Sequence, residues 1–330
     1  LDIRFSTNIA EDELLIYGSL GTGTWLTQET KTRASSSYML NLTVLPNTDG
    51  VSRTAYIYFV KVTDMESIVV EIVTIIQRGE VASESTDYSS DKKVRVLQTA
   101  KLGKGLPIVL MGDGFIDTEI NDGTYDAVMD KTFENLFTEE PIKSLRDYFN
   151  VYAVTAVSKH NIFGTGYETA LGCELAGGNS TGISGEDNAV QRYVQCVDNI
   201  DMSETLAVVI LNSPAYAGTT YFGYTNQTKV VEFAIAYCPV IYDLQSESFR
   251  QVLVHEAVGH GFAKLEDEYA YQENGTISSK EIKNVQYLQT LGWAQNVDFT
   301  SDPSQVLWSA FLNDNRYVSE KLGVFEGACT

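Results

Sequence analysis

HEAVGHGFAKLEDEY, residues 255–269, contains two of the three histidines in this 330-residue chain. A histidine followed directly by a glutamate, with a second histidine downstream, is the pattern of a zinc-binding helix. The usual spacing places the two histidines four residues apart, whereas His255 and His260 are five apart. What this stretch does therefore depends on whether the backbone can bring both imidazoles to one ion.

The surrounding segment SESFRQVLVHEAVGHGFAKL, residues 246–265, has apolar residues at helical spacing, and Ser246 or Ser248 is available to cap it. On an α-helix, residues five apart diverge by about 140°, so their side chains cannot share an ion. One π-type turn adds a residue to the helix and corrects this divergence, and Gly259 makes such a distortion less costly. We therefore predict a bulged helix across this segment.

On this helix His255 and His260 are the predicted nitrogen ligands of Zn²⁺, and Glu256 is the predicted general base, as in H-E-x-x-H. Three features favour a metal site over a helix that merely contains two ordinary histidines. Both histidines fall in one short segment, the flanking residues are apolar, and an acidic cluster follows directly. The histidines and acidic residues would form the polar centre of such a site, and the apolar flanking residues would bury it.

A catalytic zinc takes three protein ligands and keeps one position open for water, so a third ligand is required. The acidic residues that follow the helix are the candidates, and they are Glu266, Asp267 and Glu268. We predict Asp267, seven residues after the second histidine, with Glu268 as the next choice and Glu266 as the last. The remaining histidine, His160, is a distant alternative.

The chain divides into an all-β region and an α/β region. Residues 1–79 contain alternating runs such as SSYMLNLTVLPN and RTAYIYFVKV, separated by turn residues, which predict an Ig-like β-sandwich. Residues 80–94 are polar and serine-rich, and we predict a linker there. In residues 95–330 strand and helix patterns alternate, which predicts an α/β domain. The predicted elements are the strand LPIVLMGDGF, the helices DAVMDKTFENLF and PIKSLRDYF, the strand NVYAVTAVS, the helix NAVQRYVQCV, the strand TLAVVILNS and a helix in SSKEIKNVQYLQTLGWAQN.

Composition narrows the class of protein. The net charge is −21 and the isoelectric point is near 4.4, so the surface repels phosphate backbones and we expect no nucleic-acid partner. No run of about 18 apolar residues occurs, so we expect no transmembrane segment. The chain starts at Leu1 without a signal segment, and we interpret it as mature or trimmed. The cysteines contain no C-x-x-C pair, and either one or two disulfides or buried free thiols fit them.

The longer pattern VHEAVGHGFAKLEDEY resembles the M64 metallopeptidases, the family named after an immunoglobulin A peptidase. The resemblance extends to IVLMGDGF, SLRDYFNVYAVTAVSKHN, TALGCELAGG, VVILNSPAYAGTTY and LGVFEGA, and covers most of residues 95–330. It implies a secreted or cell-surface bacterial zinc endopeptidase with a metzincin-like core and a protein or glycoprotein substrate. Metzincins carry a Met turn after the zinc segment, whereas the last methionine here is Met202. The family tends to continue beyond GVFEGA, and any part of the pocket floor or substrate cleft that such a tail supplies would be missing here.

Residues 1–79 resemble the BACON domain, an Ig-like module found before extracellular bacterial enzymes. The resemblance lies in Trp25-Leu26, in LNLTVLPNTDGVSRTAYIYF and in the closing VTIIQRG. The name implies carbohydrate binding. We expect a spacer role, with carbohydrate as the alternative partner of this domain.

Other residues are candidates for the substrate cleft. AVVILNSPAYAGTTYFG predicts a strand that enters a glycine-rich loop, and an edge strand next to a zinc site binds substrate as an added strand. Asn212, Tyr216 and Gly218 are the residues that we expect to line such a cleft, with a buried core strand as the alternative. Asp113 either supports the site or, as we favour, stabilises a turn. Tyr269 is a candidate for the oxyanion, with packing as its alternative role.

The predicted function is therefore zinc-dependent peptide hydrolysis. Two alternatives remain open from the residues. One is a non-catalytic surface protein that binds glycans or proteins and has a silent or structural metal site. The other is a metal-dependent amidase that acts on peptidoglycan or another non-protein amide, because its motif requirements are the same.

Overall fold

The computed structural model describes residues 2–6, 9, 13–19, 26–34, 37–44, 53–63, 67–77, 82–175, 182–226, 229–268, 277–320 and 322–325. Within these residues the N-terminal region forms two three-stranded sheets, and the rest of the chain is built around a six-stranded mixed sheet. The all-β region followed by an α/β region, predicted from the alternation of apolar residues, is therefore confirmed.

The N-terminal strands pair antiparallel in the sheet orders β1-β4-β3 and β2-β5-β6. Their bounds are β1 (Asp2–Ser6), β2 (Leu14–Ser19), β3 (Leu26–Ala34), β4 (Ser37–Val44), β5 (Arg53–Val62) and β6 (Ser67–Gln77). Leu40 and Leu42 of β4 share one buried cluster with Ile57 and Phe59 of β5. Because β4 and β5 belong to different sheets, this shared core means that the two sheets pack face to face as a sandwich.

The large sheet has the order β13-β14-β12-β8-β9-β7. Its strands are β7 (Val94–Gln98), β8 (Leu106–Asp113), β9 (Phe149–Val154), β12 (Leu206–Leu211), β13 (Thr219–Asn226) and β14 (Lys229–Pro239), and a separate pair is formed by β10 (Glu174–Leu175) and β11 (Ile183–Ser184). The four central strands are parallel, whereas β13 and β7 are antiparallel strands at the two edges. The antiparallel edge strand β13 contributes Thr220, which contacts Glu256.

Helices cover both faces of this sheet. They are α1 (Asp117–Asn121), α2 (Thr124–Leu136), α3 (Asp187–Val194), α4 (Glu247–Leu253), α5 (Ser279–Thr290), α6 (Ser309–Leu312), a π-helix (Val254–Phe262) and the 3₁₀ segments Arg146–Tyr148, Met202–Glu204 and Asn315–Glu320. Alternate residues of β12 point to opposite faces, so Val208 packs in the cluster with α2, α4 and the π-helix, whereas Val209 packs in the cluster with α3. The result is a three-layer α/β/α domain.

One predicted helix is wrong. PIKSLRDYF, residues 141–149, forms turns followed by the 3₁₀ segment Arg146–Tyr148. The last residue of this run, Phe149, is fully buried and begins β9, so the chain must become extended there. The turns and the 3₁₀ segment lead the chain into this extended backbone in place of the predicted helix.

The predicted linker 80–94 is bonded to the α/β domain over residues 83–93. Ser85 accounts for two of these contacts, because its N–H donates to Lys159 O (2.8 Å) and its Oγ donates to Ser158 O (2.7 Å). The Asp117 carboxylate accepts hydrogen bonds from Thr86 N (2.9 Å) and Asp87 N (2.7 Å). The polar residues that predict a linker therefore serve as hydrogen-bonding groups of this domain.

Two further expectations from composition concern membranes and disulfides. None of the helices in the described part of the chain is long and apolar enough to cross a bilayer. Cys173, Cys196 and Cys238 are free, and Cys329 lies outside the described residues. Of the two alternatives for the cysteines, free thiols therefore hold for these three.

Candidate metal centre

The helix that carries the two histidines is capped and then widened. The Ser246 side chain accepts a hydrogen bond from Phe249 N (3.4 Å), which makes Ser246, and not Ser248, the N-cap of α4. The helix continues as the π-helix Val254–Phe262, nine residues long. At its end the Ala263 N–H donates to Val258 O, five residues back, at 2.9 Å. The predicted widening is confirmed, and it extends over the whole segment rather than over one turn.

The widened backbone brings both imidazoles to one point, where a carboxylate joins them. His255 Nε2 lies 3.0 Å from His260 Nε2, and Asp267 Oδ1 lies 3.2 Å from the first and 3.1 Å from the second. Within the described residues these three form the one group of histidine, cysteine or acidic side chains close enough to hold a metal ion. Ligand atoms about 2.0–2.1 Å from a tetrahedral ion lie about 3.3 Å apart, so the triangle fits a metal of zinc's size.

The hydrogen bonds of His260 decide which of its nitrogens can bind a metal. Its Nδ1 lies 2.6 Å from Leu265 O. A carbonyl oxygen only accepts, so Nδ1 carries the proton and the neutral ring has a lone pair on Nε2. That lone pair and the Asp267 carboxylate oxygen are both acceptors at 3.1 Å, and a cation between them relieves their repulsion. Such a hydrogen bond from the second imidazole nitrogen to a carbonyl is typical of metal-binding histidines.

The structure separates the three acidic candidates. Asp267 is the one that meets the two histidines. The Glu268 side chain is exposed and its Oε1 accepts from Asn296 Nδ2 (2.9 Å), while Glu266 is held through its backbone by the same asparagine. Burial raises the pKa of Glu266. His160 lies elsewhere, where its Nδ1 accepts from Glu168 N at 2.9 Å.

Glu256 is a residue of the π-helix, and its side chain contacts the edge strand β13. It is 7% exposed, and its Oε2 accepts a hydrogen bond from Thr220 Oγ1 of β13 at 2.7 Å. Burial raises the pKa of Glu256, and the hydrogen bond from Thr220 opposes this rise. Gly218 lies against the same carboxylate, because a Cβ built there would be 2.6 Å from Glu256 Oε1. The loop can approach the Glu256 carboxylate this closely because Gly218 has no side chain.

The other residues of the predicted cleft have different positions. Asn212 Nδ2 donates to Gly114 O (3.0 Å) and to Glu119 Oε1 (2.9 Å), so this side chain is engaged with the region of α1. Tyr216 is 59% exposed, and its ring centroid is 6.4 Å from that of Tyr242. Tyr269 lies outside the described residues. Gly218 therefore lies at the site, against Glu256.

Asp113 is fully buried, and each of its carboxylate oxygens accepts two hydrogen bonds. Oδ1 accepts from Ser158 Oγ (3.1 Å) and Leu171 N (3.0 Å), and Oδ2 accepts from Thr169 Oγ1 (2.7 Å) and Cys173 N (3.0 Å). This carboxylate holds the loop that follows β9 on the end of β8. The interpretation of Asp113 as a stabilising residue is therefore confirmed.

Two residues of the site could not be recognised from the sequence. Thr220 contacts Glu256 from 36 residues away, and Asn296 contacts Glu266 from 30 residues away. Threonine and asparagine are common in polar strands and turns, and the quoted pattern VVILNSPAYAGTTY, which contains Thr220, does not mark this residue as a contact of Glu256. Only the pairing of elements distant in the chain identifies them.

The family comparisons cover both parts of the chain. The model of the family described as IgA Peptidase M64 matches residues 94–321, well over half of the 330 residues. The model of the BACON family, described as a putative binding domain, N-terminal, matches residues 15–78. No curated protein matches the chain. Together with the two folded regions described above, these matches show that the chain belongs to the IgA peptidase M64 family and carries an N-terminal BACON domain.

Proposed function

We propose that this peptidase is a secreted, zinc-dependent endopeptidase. In this proposal His255, His260 and Asp267 hold the zinc ion and Glu256 is the general base. The observation that carries it is the triangle of two imidazole nitrogens and one carboxylate oxygen, 3.0–3.2 Å apart, next to a buried glutamate on the same helix. Two imidazoles and one carboxylate suit zinc and leave a fourth position open.

Zinc bound here would supply Lewis acidity, polarising the scissile carbonyl and lowering the pKa of a water molecule. The protein side chains account for the rest of the chemistry. Glu256 accepts a proton from the attacking water and passes it to the leaving amine nitrogen. The hydroxyl of Thr220 holds Oε2 of this carboxylate at 2.7 Å and so orients it for that transfer.

The position of β13 supports binding of an extended substrate. This strand is at the end of the sheet order, runs antiparallel to β14, and contributes Thr220 to the site. Its outer edge is free of a strand partner within the described residues, so a peptide can add to it through backbone hydrogen bonds. The antiparallel edge strand beside the histidine helix is the feature that supports a metzincin-like core. The absence of a methionine after Met202 limits that likeness to the helix and the sheet.

The test combines metal analysis with proteolysis. We expect the purified protein to contain one zinc per chain and to cleave a peptide library, and Glu256→Gln to keep the zinc while losing about 10²–10⁴-fold in rate. Asp267→Asn should lose zinc, whereas Glu268→Gln, the matched change one residue later, should keep both zinc and activity. Full proteolysis by zinc-loaded Glu256→Gln would refute the role of this glutamate.

The same experiment separates the peptidase from the binding alternative. Metal content without cleavage of any peptide would favour a non-catalytic surface protein, and glycan binding by residues 1–79 would add to that. Secretion is supported by the acidic composition and by the BACON domain. Fractionation of the cells that produce the protein tests secretion. Finding all of the protein in the cytoplasm would contradict it.

A further inference from the structure

The segment that carries Asp267 is fixed by a turn from another part of the chain. Asn296 Oδ1 accepts from Glu266 N (3.0 Å), and Asn296 Nδ2 donates to Glu266 O (2.8 Å). One side-chain amide therefore pairs with both backbone groups of the residue immediately before Asp267. The same Nδ2 also donates to Glu268 Oε1 (2.9 Å), immediately after it.

The turn that presents Asn296 is itself held by several contacts. Gln289 Nε2, at the end of α5, donates to Val297 O (2.9 Å) and to Ala294 O (3.4 Å). Trp293 is 4% exposed and packs edge-to-face on Phe222 of β13, with ring centroids 5.9 Å apart. Asn296 is therefore placed by a buried anchor and not by a free loop.

A second contact joins the same two segments closer to the helix. Ala294 N donates to Lys264 O at 2.8 Å. Lys264 is buried, has a positive φ of 55°, and its Nζ donates to Gly261 O of the π-helix. The π-helix ends just before this residue, and Ala294 and Asn296 bond the backbone of Lys264 and Glu266 in the segment that follows.

We propose that Asn296 is a positioning residue for the metal centre, which holds Asp267 at the point where it meets the two histidines. This inference rests on the proposed function. Asp267 is one of three consecutive acidic residues, and any of the three can reach toward a cation if the backbone shifts by one position. The pairing of Asn296 with Glu266 removes that freedom, because both backbone groups of Glu266 must face the asparagine. Groups that hydrogen-bond a metal ligand typically contribute about 10–100-fold to metal affinity, and we take the same range for Asn296, which bonds the residues on either side of the ligand.

The test measures the zinc dissociation constant by competition with a chromophoric chelator. We expect Asn296→Ala to raise this constant about 10–100-fold. Asn296→Leu, which keeps the side-chain shape but cannot hydrogen-bond, should do the same. The matched control is Gln295→Ala, since Gln295 Nε2 donates only within its own turn, to Gln289 O (3.2 Å) and Trp293 O (3.0 Å). This control should keep the wild-type constant.

A spectroscopic measurement distinguishes positioning from general loss of stability. In the cobalt-substituted protein, loss of Asp267 from the ligand set should shift the visible absorption bands of Asn296→Ala and Asn296→Leu, and those of Gln295→Ala should stay unchanged. Wild-type affinity and spectrum in a folded Asn296→Leu protein would overturn the inference, as would equal losses in Gln295→Ala. Failure of the wild-type protein to bind zinc would instead overturn the proposed metal centre itself.

Discussion

Replacing Gly218 by alanine tests whether the position of Glu256 controls catalysis. A Cβ at this position would lie 2.6 Å from Glu256 Oε1, 2.7 Å from Val252 Cγ1 and 2.8 Å from Glu256 Cγ. Carbon atoms in contact prefer separations of about 3.5–4.0 Å, so the two carbon neighbours must retreat by roughly 0.7–1.3 Å. Glu256 Oε1 is at the far end of a long side chain, whereas Val252 Cγ1 is one bond from Cβ, so the mobile partner is the Glu256 carboxylate.

The expected cost has two parts. Overpacking of this kind destabilises a protein by about 1–3 kcal/mol. A displacement of about 1 Å at a reacting group can cost about 100-fold in rate. We therefore expect Gly218→Ala to lower kcat/KM by about 10–100-fold while zinc affinity stays unchanged, because the contacts at Gly218 involve Glu256 and Val252 rather than the three proposed ligands.

The assay is steady-state cleavage of a fluorogenic peptide together with a zinc titration of the same preparation. Gly182→Ala is the matched control, because a Cβ there meets nothing within 4 Å. This control should keep wild-type kinetics. Normal kcat/KM in Gly218→Ala would refute the claim that Glu256 needs its present position, and loss of zinc would show that the loop supports the ligands instead.

Three further predictions concern buried polar groups. Thr220→Val removes the hydroxyl that donates to Glu256 Oε2. Because a hydrogen bond to a charged group is worth about 1.5–3 kcal/mol, we expect kcat/KM to fall about 10-fold while the zinc content stays unchanged. Kinetics and metal analysis measure these two quantities, and unaltered kinetics would contradict the anchoring role of Thr220. Tyr125→Phe removes a hydroxyl that bonds three buried backbone groups, Gly112 N, Val154 O and Ala156 N. It should lower the free energy of unfolding by about 1–3 kcal/mol in urea titration, and a loss below about 0.5 kcal/mol would argue against those contacts. Burial raises the pKa of both Cys173 and Cys238 well above the usual value, so a thiol reagent at pH 8 should label them only after unfolding, as mass spectrometry of the native protein would check; rapid native labelling would be inconsistent with their burial.

Much of the fold could be predicted from local patterns. The strands β8 and β12 are continuous apolar runs, and α2 and α3 repeat apolar residues at helical spacing. The local pattern of each element therefore predicts whether it is a strand or a helix. The segment 141–149 was mispredicted because its conformation is imposed by Phe149, which the sheet buries. The polar composition of residues 80–94 predicts a linker, because the hydrogen bonds of Thr86 and Asp87 to the distant Asp117 leave no local signal in the sequence.

For the site, the sequence alone determined the family, the two histidines and the widening of their helix. The five-residue spacing requires that widening if both rings are to reach one ion, and spacing is a local property. The packing of distant elements establishes which acid meets the histidines, which nitrogen of His260 faces them, and which residues contact Glu256 and Glu266. Those outcomes depend on Leu265 O, Thr220 and Asn296, whose positions follow from packing between elements far apart in the chain. A periodicity reports which face a side chain occupies, and it does not report what that face meets.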